Sequence, residues 1–274
     1  MIKICKGCGQ EFTTNRSARD YCGYSCSNSA IARDREAKKI DVPATTVWSC
    51  GGGVQSTAIA ALIYTGKLPR PDCAVMTDCG YEKSATWEYV DSVLIPKMQE
   101  VGVNLQIIKT VDYSNNNLFD KSNHLVLPAF TMVNGKAVKF KTHCNNNWKV
   151  RPVQRWLREQ GVKLCENWIG ISTDEAKRAK RKQAKKWFYT RYPLIEQDMT
   201  REDCIYMIGG LGWPKPPRTS CLMCPQQDDA EWARMRKNNP QDWQRALEIE
   251  KHIQAINPNV YLHRRMLPLE KTVR

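Results

Sequence analysis

The sequence predicts an α/β protein built on a parallel sheet. Two observations support this prediction: the order of its apolar runs and its hydrophobic content. Apolar strand-like runs alternate with helical patterns between residues 47 and 172 of the 274, an order typical of parallel strands joined by right-handed crossovers, with helices on both faces. A hydrophobic content of 42% is enough to bury a full core. We therefore expect one main domain, residues 41–274 with a helical C-terminal part, and a small module, residues 1–40.

The elements follow from the period of the apolar residues, which is two in strands and near 3.6 in helices. The ligands of such sheets bind at the carboxyl ends of the strands. A glycine-rich loop directly follows the first predicted strand, so it should lie at that edge. In chain order we predict strand 47–49, helix 57–64, strand 73–77, helix 84–101, strand 105–109, a polar insertion 114–147, helix 150–160 and strand 168–172.

The charge balance points to a polyanionic partner. Forty-two Lys and Arg against 28 Asp and Glu leave a net charge of +14, and each phosphate that such a surface neutralises releases counterions. No stretch is apolar for long enough to cross a bilayer and no leader-like apolar run is present at the start, so we expect a cytoplasmic protein that does not bind membranes. Twelve cysteines then indicate metal ligands, redox groups or small core residues.

Three consecutive glycines between a β-branched run and an apolar helix form the clearest motif. Glycines let the backbone approach an anion, and the N–H groups of the following helix point at its charge. The loop resembles the PP-loop (S-G-G-x-D-S) of the ATP pyrophosphatase superfamily, which includes phosphoadenosine phosphosulfate reductases, tRNA thiolases and the sulfur-inserting subunit of DNA phosphorothioation systems. The resemblance implies an adenine nucleotide alpha hydrolase-like fold that binds ATP and magnesium. Its nucleotide-binding residues would be Ser49, Gly51, Gly52, Gly53, Ser56 and Thr57.

Two positions depart from the PP-loop pattern: Gln55 stands where the motif has Asp, and Gly51 replaces its first Ser, with Ser49 two residues earlier. A magnesium-binding carboxylate is therefore missing from the loop, although we keep Gln55 among the predicted catalytic residues. Either Asp78 or another acid supplies the carboxylate, or ATP cleavage is lost and the loop binds a different anion.

Two further segments resemble the phosphosulfate reductase relatives. Residues 78–82 (Asp-Cys-Gly-Tyr-Glu) are similar to their D-T-G-x-E motif, which implies that Asp78, Gly80 and Glu82 lie beside the nucleotide or acceptor. Residues 170–178 are similar to their G-I-S-x-D-E-x-x-R element, which implies that Asp174 and Arg178 contact the nucleotide.

Four cysteines near the start have the spacing of a zinc site. Cys5 and Cys8 form one close pair, and Cys22 and Cys26 form a second, which suits one tetrahedral ion with four thiolates. The surrounding residues resemble small treble-clef zinc fingers. Because arginines and lysines follow closely, we expect this module to dock on nucleic acid.

Cys144, Cys221 and Cys224 form a second predicted metal group. Three thiolates leave one iron of a 4Fe-4S cluster open, or they bind zinc with His143 or another fourth ligand. The count resembles that of tRNA thiolases. The remaining alternative is a set of reduced thiols without metal. Cys50 and Cys79 could both face the nucleotide, and one of them could carry sulfur.

A basic run follows the 170–178 element. Its alanine spacing is compatible with a helix, and we expect it to contact a phosphate backbone, with Trp187 or Tyr189 stacking on a base. The predicted nucleic-acid-binding residues are Lys177, Arg178, Lys180, Arg181, Lys182, Lys185 and Lys186.

Together these features predict an enzyme that adenylates an oxygen on DNA or RNA, releases pyrophosphate and replaces AMP by a nucleophile, with sulfur as the first choice and nitrogen as an alternative. A partner protein could donate the sulfur. Reduction of a small sulfonucleotide is a second interpretation, but residues 262–274 contain no reductive cysteine. A non-catalytic nucleic-acid-binding protein whose degenerate loop only holds phosphate is the third.

Overall fold

The structure, a computed structural model, describes residues 1–5, 10–15, 22, 43–140, 143–179 and 185–272. It divides into two compact units, Met1–Pro43 and Ala44–Arg274. In the smaller unit, strand β1 (Ile2–Ile4) pairs antiparallel with β2 (Glu11–Thr13). Within the described ranges, no helix is both long enough and apolar enough to span a membrane.

The larger unit contains two sheets. Its strands are β3 (Thr45–Cys50), β4 (Cys73–Asp78), β5 (Leu105–Lys109), β6 (Phe130–Val133), β7 (Lys136–Lys139), β8 (Cys165–Ile169), β9 (Phe188–Arg191) and β10 (Val260–Tyr261). Five of them form a parallel sheet in the order β5-β4-β3-β8-β9, and the others form a small antiparallel sheet in the order β10-β6-β7.

The helices occupy the crossovers and the C-terminal part. In chain order they are α1 (Val54–Tyr64), α2 (Ser84–Tyr89) continuing through a π turn (Val90–Leu94) into α3 (Ile95–Glu100), α4 (Thr110–Tyr113), a π turn (Asn146–Val150) leading into α5 (Arg151–Glu159), a 3-10 helix (Thr173–Arg178), α6 (Pro193–Glu196), α7 (Arg201–Gly210), α8 (Asp229–Asn238), α9 (Pro240–Ile256) and α10 (Leu269–Thr272).

Successive residues of the parallel sheet face opposite sides, and each side is covered by helices. Trp48 of β3 is fully buried in a core formed with α1, α3 and α7, whereas its neighbour Val47 is buried in a core formed with α5. This alternation is the period of two that strands impose. The prediction of a parallel sheet with helices on both faces is therefore confirmed.

The order of the strands reverses at β3. The chain runs outward from β3 to β4 and β5, then crosses back to β8 on the other side of β3. Adjacent crossovers that leave in opposite directions open a crevice at the carboxyl ends of the two central strands. The segments that follow β3 and β8 face this crevice.

Three predicted elements differ from the structure. The strand predicted at 168–172 lies at Cys165–Ile169, because Gly170 leaves the sheet to pack on the backbone of Gln55. The predicted polar insertion contains the β6–β7 hairpin. The basic run is not one helix in its described residues: a 3-10 helix ends at Arg178, and the aromatic residues that follow enter β9, the edge strand of the sheet.

A second large hydrophobic core is formed in part by the C-terminal helices α8 and α9. Trp232 of α8 is fully buried and packs edge-on against Trp243 of α9, with ring centroids 6.3 Å apart. Met235 and Leu247 are buried in the same cluster. These four residues recur at helical spacing in the sequence, and their burial shows that they pack the core. The same core contains Cys79, Leu222 and Met223, so it extends to the carboxyl edge of β4.

Candidate nucleotide and thiol site

The glycine loop joins the end of β3 to α1. Gly52 has a φ of +70°, in the region that favours glycine. The Gly51 N–H donates to Ser56 Oγ at 2.8 Å, which ties the loop to the first turn of α1. The N–H groups at the start of an α-helix have no partner within the helix, so α1 directs donors toward the loop. This arrangement is suited to an anion.

The loop is held close to its neighbours on two sides. A Cβ at position 53 would lie 2.7 Å from Thr219 Oγ1, and a Cβ at position 170 would lie 2.8 Å from the carbonyl carbon of Gln55. Real Cβ atoms do not approach other atoms so closely. Glycine is therefore required at position 170, where the neighbour is backbone, whereas a side chain at position 53 would displace the Thr219 hydroxyl. Below the loop, Ser49 Oγ donates to Asn167 Oδ1 at 2.7 Å and links β3 to β8.

Gln55 lies between a carboxylate and a guanidinium. Its Nε2 donates to Glu175 Oε2 at 2.8 Å, and its Oε1 accepts from Arg201 Nη1 at 2.9 Å. Arg178 Nη1 donates to both oxygens of Glu175 at 2.9 Å. An acidic side chain therefore lies directly beside Gln55. Glu175 was not among the predicted site residues, although it lies inside the 170–178 element.

The two predicted residues nearest to Glu175 lie on the same rim. Asp174 Oδ1 accepts from the backbone N–H of Arg201 at 3.0 Å. A hydrogen bond from the Ser172 hydroxyl is the main reason why the pKa of Asp174 is lowered. Arg178 is exposed and paired with Glu175, so this rim carries both signs of charge.

Asp78 ends β4 and shapes the next turn. Its Oδ1 accepts from the Gly80 N–H at 2.7 Å, and Gly80 has a φ of +79°. The Asn116 side chain donates to the Cys79 carbonyl at 3.0 Å. The turn places Asp78 at the carboxyl edge of the sheet and directs Cys79 and Glu82 into the second core.

Cys79, Glu82 and Cys221 form a compact buried group. Cys79 Sγ lies 3.8 Å from Cys221 Sγ and 3.7 Å from Glu82 Oε1. Lys149 Nζ lies 2.5 Å from the same Glu82 oxygen. Glu82 and Cys221 are paired across a single antiparallel bridge. One ligand atom from each of the three acidic side chains lies within 4.8 Å of the other two, a spacing that can hold a metal ion.

The pKa values of Cys79, Cys221 and Lys149 are all shifted by contacts within this group. The hydrogen bond between Cys79 and Cys221 is the main reason why the pKa of Cys79 is lowered. The same hydrogen bond, with burial, raises the pKa of Cys221. Desolvation lowers the pKa of Lys149, but the charges of Glu82 and the two sulfurs outweigh it and raise the pKa above its ordinary value. The raised pKa keeps the Lys149 ammonium charged beside this group.

The remaining predicted thiols lie around Cys221. The Cys224 N–H donates to the Cys221 carbonyl at 3.0 Å, which closes a tight Cys-x-x-Cys turn. Burial is the main reason why the pKa of Cys224 is raised, and the charge of Cys144 adds to it. Cys144 packs against the same core as Cys221. The predicted trio is thus near one core, and the thiol within hydrogen-bonding distance of Cys221 is Cys79.

Cys50 has a different setting from Cys79. It is buried, and burial raises its pKa to about 12. The Gly52 N–H donates to its sulfur at 3.4 Å. At neutral pH this thiol keeps its proton, so of the two cysteines Cys79 is the more easily ionised.

The glycine loop and the thiol group are connected by one short segment. Thr219 contacts Gly53, and Cys221, two residues later, contacts Cys79. Two residues of extended chain span at most about 7 Å. The loop and the thiols are therefore neighbours in the fold.

The described residues of the basic run differ in their surroundings. Lys177 and Lys186 are exposed, whereas Lys185 donates to the Gln154 side chain. The guanidinium of Arg158 lies 3.6 Å above the centre of the Trp187 ring, and Tyr189 donates to Glu166 at 3.1 Å. A groove of about 450 Å³ runs along this surface. It is lined by Arg151, Gln154, Arg155, Arg158, Glu159, Lys185 and Trp187. Lys180, Arg181 and Lys182 lie outside the described residues.

The N-terminal cysteines are described in part. Cys5 is buried, and the Cys22 N–H donates to its sulfur at 3.3 Å. Cys8 and Cys26 lie outside the described residues, so the predicted zinc module stays a prediction.

Fold and site define a class: a mixed α/β protein with a five-stranded parallel sheet and a glycine loop at its switch point. The sequence matches no protein-family model and no curated protein. Among solved structures, the chain is similar to U34-tRNA thiolase NcsA from Methanococcus maripaludis with its 4Fe-4S cluster, with a TM-score of 0.44 and 16% identity over 93% of this chain and 88% of that chain. It is also similar to phosphoadenylyl-sulfate (PAPS) reductase from Candida auris in a phosphate complex, with a TM-score of 0.43 and 16% identity over 67% of this chain and 80% of that chain.

Proposed function

We propose that this protein is an ATP-dependent nucleic-acid modification enzyme that adenylates an acceptor oxygen, releases pyrophosphate and replaces AMP by sulfur. The observation that carries the proposal is the Thr219–Cys221 connection, which places an ionisable buried thiol group next to the glycine loop. An enzyme that activates an oxygen and then replaces it needs nucleotide binding and sulfur chemistry within one site.

The loop would hold the phosphates of ATP. The N–H groups at the start of α1 supply donors, and the tight contacts at Gly53 and Gly170 keep them in place. Glu175, hydrogen-bonded to Gln55, would supply the negative charge that the loop lacks for magnesium. Carboxylate oxygen is a ligand that magnesium prefers, together with water and phosphate oxygens. Asp78 would contact the nucleotide or acceptor from the neighbouring strand.

The reaction balances with hydrosulfide as the sulfur source, brought by a donor protein or free in solution. The acceptor oxygen attacks the α-phosphorus of ATP, the bond to the β-phosphate breaks and pyrophosphate leaves. Hydrosulfide then attacks the atom that carries the activated oxygen and loses its proton, and the oxygen leaves as part of AMP. No electrons are gained or lost. The basic groove beside Trp187 and the exposed Lys186 would bind the phosphate backbone of the acceptor.

The test is pyrophosphate release from ATP in the presence of magnesium, sulfide and either total RNA or genomic DNA. We expect release that depends on one of the two nucleic acids, with sulfur detected in that polymer by mercury-affinity electrophoresis. Gln55→Ala and Glu175→Gln should lower the rate at least tenfold, whereas Glu248→Gln, an exposed change on α9, should not.

Absence of pyrophosphate release with both polymers would refute the proposal. Salt-dependent nucleic-acid binding without ATP consumption would then identify a binding protein. Unchanged activity of Gln55→Ala would exclude this side chain from the site.

A further inference from the structure

We propose that Cys79, Glu82 and Cys221 are ligands of one zinc-type divalent ion, a set that differs from the Cys144, Cys221 and Cys224 trio predicted from the sequence. The inference does not depend on the proposed enzyme activity, because it concerns only what this group of side chains binds.

The spacing of the three ligand atoms matches one tetrahedral ion. With zinc–sulfur bonds of about 2.3 Å and a zinc–oxygen bond of about 2.1 Å, tetrahedral angles place two sulfurs about 3.8 Å apart and a sulfur and an oxygen about 3.6 Å apart. The observed distances are 3.8 Å for Cys79 Sγ to Cys221 Sγ and 3.7 Å for Cys79 Sγ to Glu82 Oε1. Cys221 and Glu82 are also within 4.8 Å of each other.

The charges of the group also match a divalent ion. Two thiolates and one carboxylate carry three negative charges, and a divalent ion with the Lys149 ammonium cancels them. Buried charge without compensation is costly, and Glu82 is only 4% exposed. Lys149 contacts the same Glu82 oxygen that faces Cys79, and metal-ligating carboxylates commonly accept such a hydrogen bond from a neighbouring side chain.

The geometry fits a 4Fe-4S cluster less well. Such a cluster binds each cysteine through a separate iron, so its ligand sulfurs must stand apart across the cluster. Cys221 instead has a second thiol at 3.8 Å. Three protein ligands leave the fourth position of a tetrahedral ion open, as in catalytic zinc sites.

The experiment uses the full chain, purified without chelator and loaded with zinc or cobalt. Metal and acid-labile sulfide are counted in wild type and in the variants Cys79→Ser, Glu82→Gln, Cys144→Ser and Cys204→Ser. We expect the first two variants to lose one zinc equivalent and the thiolate-to-cobalt absorption of one site. Cys144→Ser and the control Cys204→Ser, a buried cysteine of α7, should keep both.

A second measurement covers the case in which a variant is destabilised. Zinc should raise the melting temperature of wild type through this site, since a ligand that binds the native state stabilises it. Lys149→Met should retain the ion with about 10–100-fold weaker affinity, the usual effect of losing a partner of a metal ligand. Retention of the ion by Cys79→Ser, loss with Cys144→Ser alone, or iron with matching sulfide in wild type would each overturn the inference. ATP turnover enters none of these readouts, so failure of the proposed function would leave them unchanged.

Discussion

Gly170→Ala should separate the glycine loop from β8. The new Cβ would lie 2.8 Å from the Gln55 carbonyl carbon, 2.9 Å from the Ser56 nitrogen and 3.0 Å from the Gln55 oxygen. All three atoms belong to the backbone, so no side-chain rotation relieves the contact. The loop must move away from β8 by several tenths of an ångström, and Gln55 would move with it.

Overpacking of this kind costs about 1–3 kcal/mol. For a domain of this size each kcal/mol lowers the melting temperature by roughly 2–4 °C, so we expect a decrease of roughly 2–12 °C. Calorimetry measures this decrease. Under the function proposed above, ATP stabilises the wild type, and displacement of the loop should weaken that effect in a second scan with ATP.

Gly209→Ala is the matched control. Position 209 lies inside α7, and an added Cβ there meets no atom within 4 Å. Alanine in a helix is favoured over glycine by about 0.5–1 kcal/mol, so this variant should be at least as stable as wild type. Gly170→Ala with an unchanged melting temperature and unchanged ATP stabilisation would refute the close packing of loop and strand.

Three further changes test other parts of the fold. Trp232→Ala removes a fully buried side chain and should lower the free energy of unfolding by about 3–5 kcal/mol in urea titrations; a loss below 1 kcal/mol would contradict the second core. Asp242→Ala leaves the Ser84 N–H and hydroxyl without their acceptor, which lies 2.9 and 2.5 Å from them. It should lower the free energy of unfolding by about 1–3 kcal/mol in the same assay. Ser92→Ala, on the exposed face of the π turn, is the control and should change it little. Burial lowers the pKa of His263, so its contribution to stability is complete above the unfolded pKa near 6.5 and is lost as the pH falls through the lower folded value. Between pH 8 and 5 the melting temperature should therefore fall less steeply for His263→Phe than for wild type. An equal fall in both proteins would refute the argument.

The sheet could be predicted from the sequence because each central strand is a short apolar run between polar turns. The start of α1 was placed three residues late, since hydrophobic periodicity becomes visible only after Ser56, whereas the helix begins at Val54. The β6–β7 hairpin was missed because its strands carry exposed residues on both faces, as Met132 and Val133 show, and so lack a clear alternation.

The glycine loop and the acids of β4 could be placed at one sheet edge from topology alone. The sequence does not reveal that Cys79 is the partner of Cys221, because 142 positions separate the two residues and their contact depends on how the C-terminal helices pack. Glu175 was missed for a similar reason. The role proposed for Glu175 depends on its contact with Gln55 across the β3–β8 crevice, and the sequence alone does not show that contact.

The long separation between Cys79 and Cys221 has a consequence for how the protein is made. While the ribosome synthesises the chain, Cys79 emerges 142 positions before Cys221, so it then has no partner sulfur. Its surroundings are completed only when Leu222, Met223 and Trp232 have been added and pack in the second core with it. The thiol group therefore assembles only after the segment that follows α7 has been made.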